Sequence, residues 1–359
     1  MTQELQVPKA HAGGGSLIKQ TSARRWSWPH YLALVGLPIL ILELWTIIAW
    51  LGDDAHQITE FRTPYSVNWW AARAYETVAV LVFIGVSQHV IRQCWRERRL
   101  TFDAMFLLAG MTMFWSDLGV NLLGPAYLLS SNFVNLNNPL GHLPGMINPD
   151  IGRAPDPILF TILLESAGIL LGAWLICWIA GRIRAARPDI STAKLLLYIL
   201  GIGLVLDLSL ELPIVALGLW TYPAPDWMSL SPGRGLRFPV AEWLSGAMVF
   251  LFCGALRLFK DDKGRTIVER GLERFAFLPR TLISLLATYG AIQLIAWGPP
   301  TWIDIAYVPY ETQWQHTPGY LLNDACDAPG VTGTRFGPCP GSPGYRMPGR
   351  TSHLPGPNP

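Results

Sequence analysis

Two carboxylic acids lie in the middle of a long apolar stretch of this sequence. The segment LVLDLSLELPIV, residues 204–215, contains Asp207 and Glu211, and the run around it, residues 195–220, is otherwise almost entirely apolar. An acid at the centre of a membrane helix costs about 2.5–3.5 kcal/mol to insert. A spacing of four residues puts both acids on one face of a helix. The pattern predicts polar chemistry at mid-membrane, with Asp207 and Glu211 as an acid/base pair.

Other acids fall at a similar depth in other apolar stretches. Asp117 and Asn121 form a second pair four residues apart, and we expect them to face the first pair. Glu165 and Glu43 are expected as supporting acids. Carboxyl groups clustered in a low dielectric cannot all be ionised, so protonated and ionised acids would lie side by side. That mixture is what general acid–base catalysis requires.

The elements that must position these acids are predicted to be membrane helices. Of the 359 residues, 51% are hydrophobic and only 14% are charged, whereas an ordinary soluble domain has about 25% charged residues. The fold class is therefore predicted to be an all-α polytopic membrane helix bundle with about seven transmembrane helices. The seven apolar stretches are residues 30–51, 74–94, 103–129, 158–181, 195–220, 239–259 and 279–298.

The distribution of Lys and Arg predicts how these helices are oriented. Nineteen of the 27 basic residues fall on one side of the predicted bundle and eight on the other. By the positive-inside rule, the N-terminus is cytoplasmic and the C-terminus is outside. Three regions follow from this reading: a disordered cytoplasmic arm (1–28), a seven-helix transmembrane domain (29–300) and an external Pro/Gly-rich tail (301–359). We expect an integral protein of a bacterial cell membrane.

The long outer loops supply the candidate substrate-binding residues, since long loops often carry function. Glu76 and Glu242 lie near outer helix ends, where they could pair with Arg73 and Arg237. Trp115, near Asp117, could line an apolar substrate cavity. The full candidate binding set is Asn121, Trp115, Asn135, Asn137, Asn138, His142, Glu242 and Arg237.

Several other chemistries have no sequence support. The seven His form no HxxxH, HxxH or HExxH motif, so no metal site is predicted. There is no P-loop, no GxGxxG after a strand and no GxSxG, and no basic-aromatic pattern indicates nucleic-acid binding. Cys326 and Cys339, with twelve residues between them in the external tail, are predicted to form a disulfide. Closing a loop of that size stabilises by roughly 3 kcal/mol in the chain-entropy model.

Four stretches resemble the AveC-like spirocyclase family, and the resemblance covers roughly residues 60–350. They are RRLTFDAMFLLAGMTMFWSDLGVNLL (98–123), SNFVNLNNPLGHLPGMINPDIGRAPDPILF (131–160), LSPGRGLRFPVAEW (230–243) and GTRFGPCPGSPGYRMPGR (333–350). The family takes its name from an avermectin-pathway protein that closes a dihydroxy-ketone polyketide into a spiroketal and can also dehydrate it. The resemblance implies a cofactor-free membrane cyclase or dehydratase acting on a small lipophilic substrate of polyketide type. It carries over no catalytic motif, so the residue roles above rest on the positions of the acids.

Two alternatives use the same acids. A membrane terpene cyclase would use a carboxylic acid to protonate an epoxide or an alkene. A proton-coupled transporter of a lipophilic compound would use the acids as a proton relay. Such a transporter is expected to show an inverted repeat and polar residues that continue to the cytoplasmic side, and the sequence shows neither.

Overall fold

The computed structural model describes residues 26–52, 62–123, 126–146, 155–233, 235–305 and 317–322. Within these residues, six helical segments are long and apolar enough to cross a membrane. They are Trp28–Leu51 (α1), Val67–Glu97 (α2), Leu159–Ala186, Thr192–Ala216 (α6), Val240–Leu258 (α7) and Phe277–Asp304. The fold is a mostly helical membrane bundle, which confirms the predicted fold class.

Two of the six spans are built from more than one helical piece. The span Leu159–Ala186 begins with a π-helical turn, Leu159–Leu164, and continues as α5, Glu165–Ala186. The span Phe277–Asp304 consists of α8, Phe277–Ala296, and a short α9, Pro299–Asp304, which starts with two prolines after Gly298. Proline fits the first turn of a helix because the amides there have no helical acceptor. The non-helical Gly298 separates α9 from α8, and α9 places Asp304 against Glu242 of α7.

The third predicted membrane stretch, residues 103–129, is not one continuous helix. It consists of α3 (Phe102–Gly110), a turn, α4 (Phe114–Asp117), a 3-10 helix (Leu118–Leu123) and strand β1 (Leu128–Leu129). The side chain of Gln293 in α8 binds polar groups at the break: Nε2 donates to Thr112 Oγ1 at 3.0 Å, and Oε1 accepts from Trp115 Nε1 at 3.0 Å. The sequence predicts a single helix here because most of these residues are apolar.

The broken stretch still passes from one end of the bundle to the other. Near the start of α3, Asp103 accepts two hydrogen bonds from Arg257, of 2.8 and 2.9 Å, at the C-terminal end of α7. At its far end, β1 pairs with strand β4, Trp220–Thr221, which follows α6. The first contact lies at the C-terminal end of α7. The second lies at its N-terminal end, because β4 packs beside strand β6 (Leu236–Pro239), which directly precedes α7. The stretch thus forms a seventh, irregular crossing inside the bundle.

The loops at the β4 end of the bundle fold into a compact structure that we call the cap, residues 126–146, 155–156, 218–233 and 235–239. Its strands form three antiparallel pairs: β1 with β4, β2 (Leu136–Asn137) with β3 (Pro155–Asp156), and β5 (Ser229–Gly233) with β6. The cap is held to α2 by Asn68, whose Nδ2 donates to the carbonyls of Leu217 and Gly218. The short helix α10, Gly319–Leu322, packs on β1. The aromatic interior of the cap is buried and includes Phe133, Trp220, Tyr222 and Phe238.

Candidate active site

A cavity of about 570 Å³ lies beneath the cap, within the size range of small-molecule sites. Its wall is formed by α2, the π turn with α5, α6, α7 and α9, together with α4 and cap residues. Six carboxylic acids line it: Asp117, Glu165, Asp207, Glu211, Glu242 and Asp304. Among the described residues that line it there is no lysine, arginine or histidine. The cavity therefore combines many proton-exchanging groups with no basic side chain to neutralise them.

Glu211 is held in place by the cap. Oη of Tyr222 donates a hydrogen bond of 2.7 Å to Oε1 of Glu211, while Oε2 has no hydrogen-bond partner among the described residues. Burial, followed by the nearby Glu211 charge, raises the pKa of Tyr222 well above its usual range. The phenol therefore keeps its proton and remains a donor, and such a donor stabilises a carboxylate acceptor.

Asp207 lies one helical turn before Glu211 on the same face of α6. It is buried, and its Oδ2 has no partner among the described residues. The carboxyl group packs against Gly246 of α7, where an added Cβ would collide with it. Glycine at this position lets α7 approach closely enough to form the wall behind the acid.

The remaining four acids form two carboxyl–carboxyl pairs. Asp117 and Glu165 share a hydrogen bond, and so do Glu242 and Asp304. A carboxylate has no donor, so each bond needs one proton on one of its two partners. In each acid of the pairs, one oxygen has no partner among the described residues: Asp117 Oδ2, Glu165 Oε2, Glu242 Oε2 and Asp304 Oδ1. Each pair is therefore a proton-sharing unit that borders the cavity.

Six aromatic rings line the same cavity: Tyr75, Tyr127, Phe160, Trp220, Tyr222 and Phe250. Phe160 stacks on Trp220 with centroids 4.9 Å apart, and Tyr127 stacks on Tyr222 at 5.1 Å. Burial raises the pKa of Tyr127 well above its usual range, so this phenol is neutral too. The face of an electron-rich ring attracts a nearby cation by about 0.5–2 kcal/mol. Carboxyl groups and aromatic rings together suit a reaction that passes through a positively charged intermediate.

The structure brings five of the sequence-predicted residues together in this cavity: Asp117, Glu165, Asp207, Glu211 and Glu242. Glu43 and Trp115 do not line it. The carboxylate of Glu43 is buried between α1 and α8, where it accepts a 2.6 Å hydrogen bond from Tyr289. Trp115 is buried against Trp297 and bonded to Gln293, so it stabilises the break in the third crossing.

Five of the predicted binding residues have structural positions instead: Asn121, Asn135, Asn137, Asn138 and His142. Asn121 Oδ1 accepts the backbone N–H groups of Ala126 and Tyr127, and Asn135 donates to carbonyls within the cap. Asn137 accepts a hydrogen bond from the indole of Trp50. Asn138 caps the 3-10 helix Pro139–His142, and His142 is the last residue of that helix. Short amides bond readily to nearby backbone groups, which accounts for their abundance here. These five residues shape the cap and do not line the cavity.

Of the two ion pairs suggested at the outer helix ends, one forms and the other does not. Arg73 and Glu76 form an ion pair at 2.9 Å, as the sequence suggested. Arg237 is buried but bonds to Asp226 at 2.6 Å rather than to Glu242. β6 directs this arginine into the cap, whereas Glu242 in the first turn of α7 faces Asp304. Arg237 therefore does not reach the cavity.

Sequence reasoning missed two acids near the cavity. Asp304 was assigned to the tail because it follows the last apolar stretch, yet α9 places it against Glu242. Asp156 in β3 is buried behind the Asp117–Glu165 pair and accepts a 2.8 Å hydrogen bond from Thr161. Burial raises the pKa of Asp156 to about 7. Of the two, only Asp304 could have been found from the sequence, because it directly follows a short apolar segment that begins with two prolines.

Cys326 and Cys339 lie outside the described residues, so their disulfide remains a prediction. Cys94, Cys177 and Cys253 are free thiols. Among the residues that the structure describes, no group of three or more His, Cys, Asp and Glu side chains is arranged to hold a metal ion.

Comparison with known proteins gives one family. The family model described as Spirocyclase AveC-like matches residues 97–299, which is more than half of the chain. The matched region includes Asp117, Glu165, Asp207, Glu211 and Glu242, while Asp304 lies beyond it. No curated protein and no solved structure matches the chain.

Proposed function

The chain belongs to the spirocyclase AveC-like family, and from this premise we propose that it is a membrane-embedded cyclase that forms a spiroketal from a lipophilic, polyketide-type dihydroxy-ketone. The observation that carries the proposal is the cavity in which six carboxylic acids and six aromatic rings meet. The reaction needs an acid, a base and stabilisation of a cation, and the cavity supplies all three.

The proposed reaction begins with a hemiketal, formed when one substrate hydroxyl adds to the ketone. A carboxylic acid protonates the hemiketal hydroxyl, the C–O bond breaks and one water molecule leaves. The resulting oxocarbenium ion is attacked by the second hydroxyl, which forms the new C–O bond, and a carboxylate takes the released proton. The net change is the loss of one water, so proton transfers alone balance the reaction. Positioned acid–base groups contribute about 10²–10⁴-fold to such a rate.

The surroundings of each acid suggest its role. Glu211, which accepts a hydrogen bond from Tyr222, is the proposed base and the negative charge beside the cation. Asp207 is the proposed proton donor, since it lies one turn away on the same helix face. The Asp117–Glu165 and Glu242–Asp304 pairs would supply and receive protons between turnovers. The aromatic rings would stabilise the oxocarbenium ion and restrict the face from which the second hydroxyl attacks.

A terpene cyclase is the second candidate, and the aromatic lining of the cavity favours it as well. Carbocations formed by protonating an alkene or epoxide need the same acids and the same rings. The two reactions differ in mass balance: spiroketal formation loses water, whereas a proton-initiated cyclisation of an epoxide or alkene gives an isomer of its substrate.

The proposal is tested with a synthetic dihydroxy-ketone added to proteoliposomes of the purified protein. Chromatography on a chiral phase with mass detection should show a product lighter by one water and enriched in one stereoisomer. Empty liposomes report spontaneous cyclisation, which gives the mixture set by intrinsic stability. A product distribution identical to that of empty liposomes, for a panel of dihydroxy-ketones, would contradict the proposal. An isomeric product from an epoxide-bearing isoprenoid would support the terpene cyclase instead.

A further inference from the structure

We infer that the cavity opens sideways into the bilayer between α5 and α6, with α2 at its edge, and that a lipophilic substrate enters by this route. We call this opening the lateral entrance and define it by Val78, Leu171, Leu175 and Leu210. The inference rests on the proposed function only for the identity of the substrate. The route itself follows from the shape of the cavity.

The four residues of the lateral entrance belong to the cavity wall and to the outer surface at once. Val78 of α2 is 51% exposed, Leu171 and Leu175 of α5 are each 38% exposed, and Leu210 of α6 is 55% exposed, yet all four line the cavity. Each also borders the outward face of its helix, next to exposed residues such as Leu81, Trp178 and Ser209. Side chains that meet both conditions mark the place where the cavity reaches the surface.

The cap closes the end of the cavity nearest the loops. Trp220 and Tyr222 line the cavity from the cap side and are 2% and 3% exposed. Behind them, the described part of the cap is a continuous buried apolar cluster that includes Phe133 and Phe238. A hydrated molecule arriving through this end would have to displace packed aromatic side chains.

The opposite end is closed by packing between helices. α5 and α6 meet there through a buried cluster of Ile176, Ala180, Leu195 and Ile199. Farther along, towards the cap, their facing side chains are Leu171 and Leu175 on one helix and Leu206 and Leu210 on the other. All four line the cavity; Leu206 also packs against the buried cluster, whereas Leu171, Leu175 and Leu210 are exposed on the outer surface. The two helices thus pack together at one end, and at the depth of the acids Leu171, Leu175 and Leu210 lie between the cavity and the outer surface.

The chemistry of this opening selects its ligand. All four residues of the lateral entrance are aliphatic, and in a membrane their exposed surfaces contact lipid chains. A charged or strongly hydrated molecule would lose its hydration there without compensation. The lateral entrance therefore admits an uncharged molecule that dissolves in the hydrocarbon core and carries its polar oxygens to the acids inside.

A carbodiimide that partitions into bilayers tests the route without measuring cyclase activity. Dicyclohexylcarbodiimide adds as a whole molecule to a protonated carboxyl group, and mass spectrometry of peptides locates the adduct. We expect it to modify cavity acids, Asp207 or Glu211 among them, in the wild-type protein in proteoliposomes. A water-soluble carbodiimide with a cationic side chain, at equal concentration, should leave these acids unmodified.

Tryptophan substitutions then locate the route. Leu210→Trp and Leu171→Trp should each slow the modification at least about tenfold, because a large indole fills an apolar gap. Val205→Trp is the matched control: Val205 lies on α6 and is exposed, but it does not line the cavity. The thermal stability of each variant, measured in detergent, confirms that it is folded.

The outcomes separate the route from the reaction. Slower labelling in the two entrance variants, with wild-type labelling in Val205→Trp, supports the lateral entrance even if no cyclised product is ever found. Equal labelling rates in all variants, efficient labelling by the water-soluble reagent, or no labelling of any cavity acid by dicyclohexylcarbodiimide would overturn it, whatever the protein catalyses.

Discussion

The phenol of Tyr222 donates a 2.7 Å hydrogen bond to the carboxyl group of Glu211, and this bond joins the cap to the centre of the acid cluster. Tyr222 belongs to the cap and Glu211 to membrane helix α6. The bond fixes one oxygen of Glu211, while the other has no partner among the described residues. Folding of the cap and placement of the proposed base are therefore coupled.

Gly246 allows α7 to pack directly on Asp207, so a methyl group at this position should displace the acid. We expect Gly246→Ala to lower product formation by at least about tenfold, since misplaced catalytic groups lose their orientation advantage. Gly85→Ala is the control, because a Cβ at Gly85 meets nothing within 4 Å. Product formation per folded protein is the measurement. Wild-type turnover in Gly246→Ala would show that Asp207 need not keep this position.

Asp304 lies beyond the region matched by the family model but shares a hydrogen bond with Glu242. Asn can keep a hydrogen bond to Glu242, but it cannot exchange a proton. We therefore expect Asp304→Asn to reduce turnover by about tenfold or more while the protein stays folded. Asp226→Asn serves for comparison, since Asp226 is half exposed and contacts Arg237 outside the cavity. Equal turnover in the two variants would remove Asp304 from the proposed proton-sharing units.

Asp156 should make stability depend on pH. Its pKa in the folded protein is about 7, raised by burial from an ordinary value of 3.8. Between these values the folded protein holds a proton that the unfolded chain has lost, so the free energy of unfolding falls as pH rises through this window. Thermal unfolding in detergent at pH 5 and pH 8 measures the effect. In Asp156→Asn the difference between the two pH values should be smaller than in the wild type, and an unchanged difference would contradict the assignment.

The orientation of the bundle is a separate prediction from the distribution of basic residues. Reporter fusions after Arg99, Arg187 and Lys263 should read as cytoplasmic, and fusions after Asn138 and Gly233 as external. The structure places Arg99 within 3.5 Å of Glu269, so the loops that carry them share one end of the bundle. An external signal at Lys263 would reverse the orientation of the whole bundle.

The helical spans and the layer of acids could be predicted because both depend on local composition. A hydrophobic run of sufficient length can satisfy its backbone in a membrane as a helix, and acids within it stand out. The break in the third crossing could not be predicted, because it depends on Gln293, which lies 178 residues from Trp115. The pairing of Glu242 with Asp304 is likewise set by tertiary packing.

The predicted asparagine ligands show the opposite error. They look available for a ligand in the sequence, whereas in the fold Asn121 and Asn138 accept hydrogen bonds from nearby backbone amides. Residue type predicted polarity correctly but did not reveal which polar groups the chain itself would use. Asp207 and Glu211 differ because they line the cavity, and each has an oxygen there without a partner among the described residues.

Glu43 and Glu211 provide a matched pair for the decisive measurement. Each is a membrane-helix acid that accepts a short hydrogen bond from a tyrosine, Tyr289 or Tyr222, but only Glu211 lines the cavity. An amide keeps the acceptor oxygen for the tyrosine and lowers the cost of burial, so both Glu→Gln variants should insert and fold.

Turnover per folded protein is then compared in Glu211→Gln, Asp207→Asn and Glu43→Gln. We expect losses of at least about a hundredfold in the two α6 variants, since an amide cannot exchange the proton. Turnover in Glu43→Gln should stay near that of the wild type. Near-normal turnover in both Glu211→Gln and Asp207→Asn would contradict the acid/base assignment and leave these acids as hydrogen-bonding groups between helices.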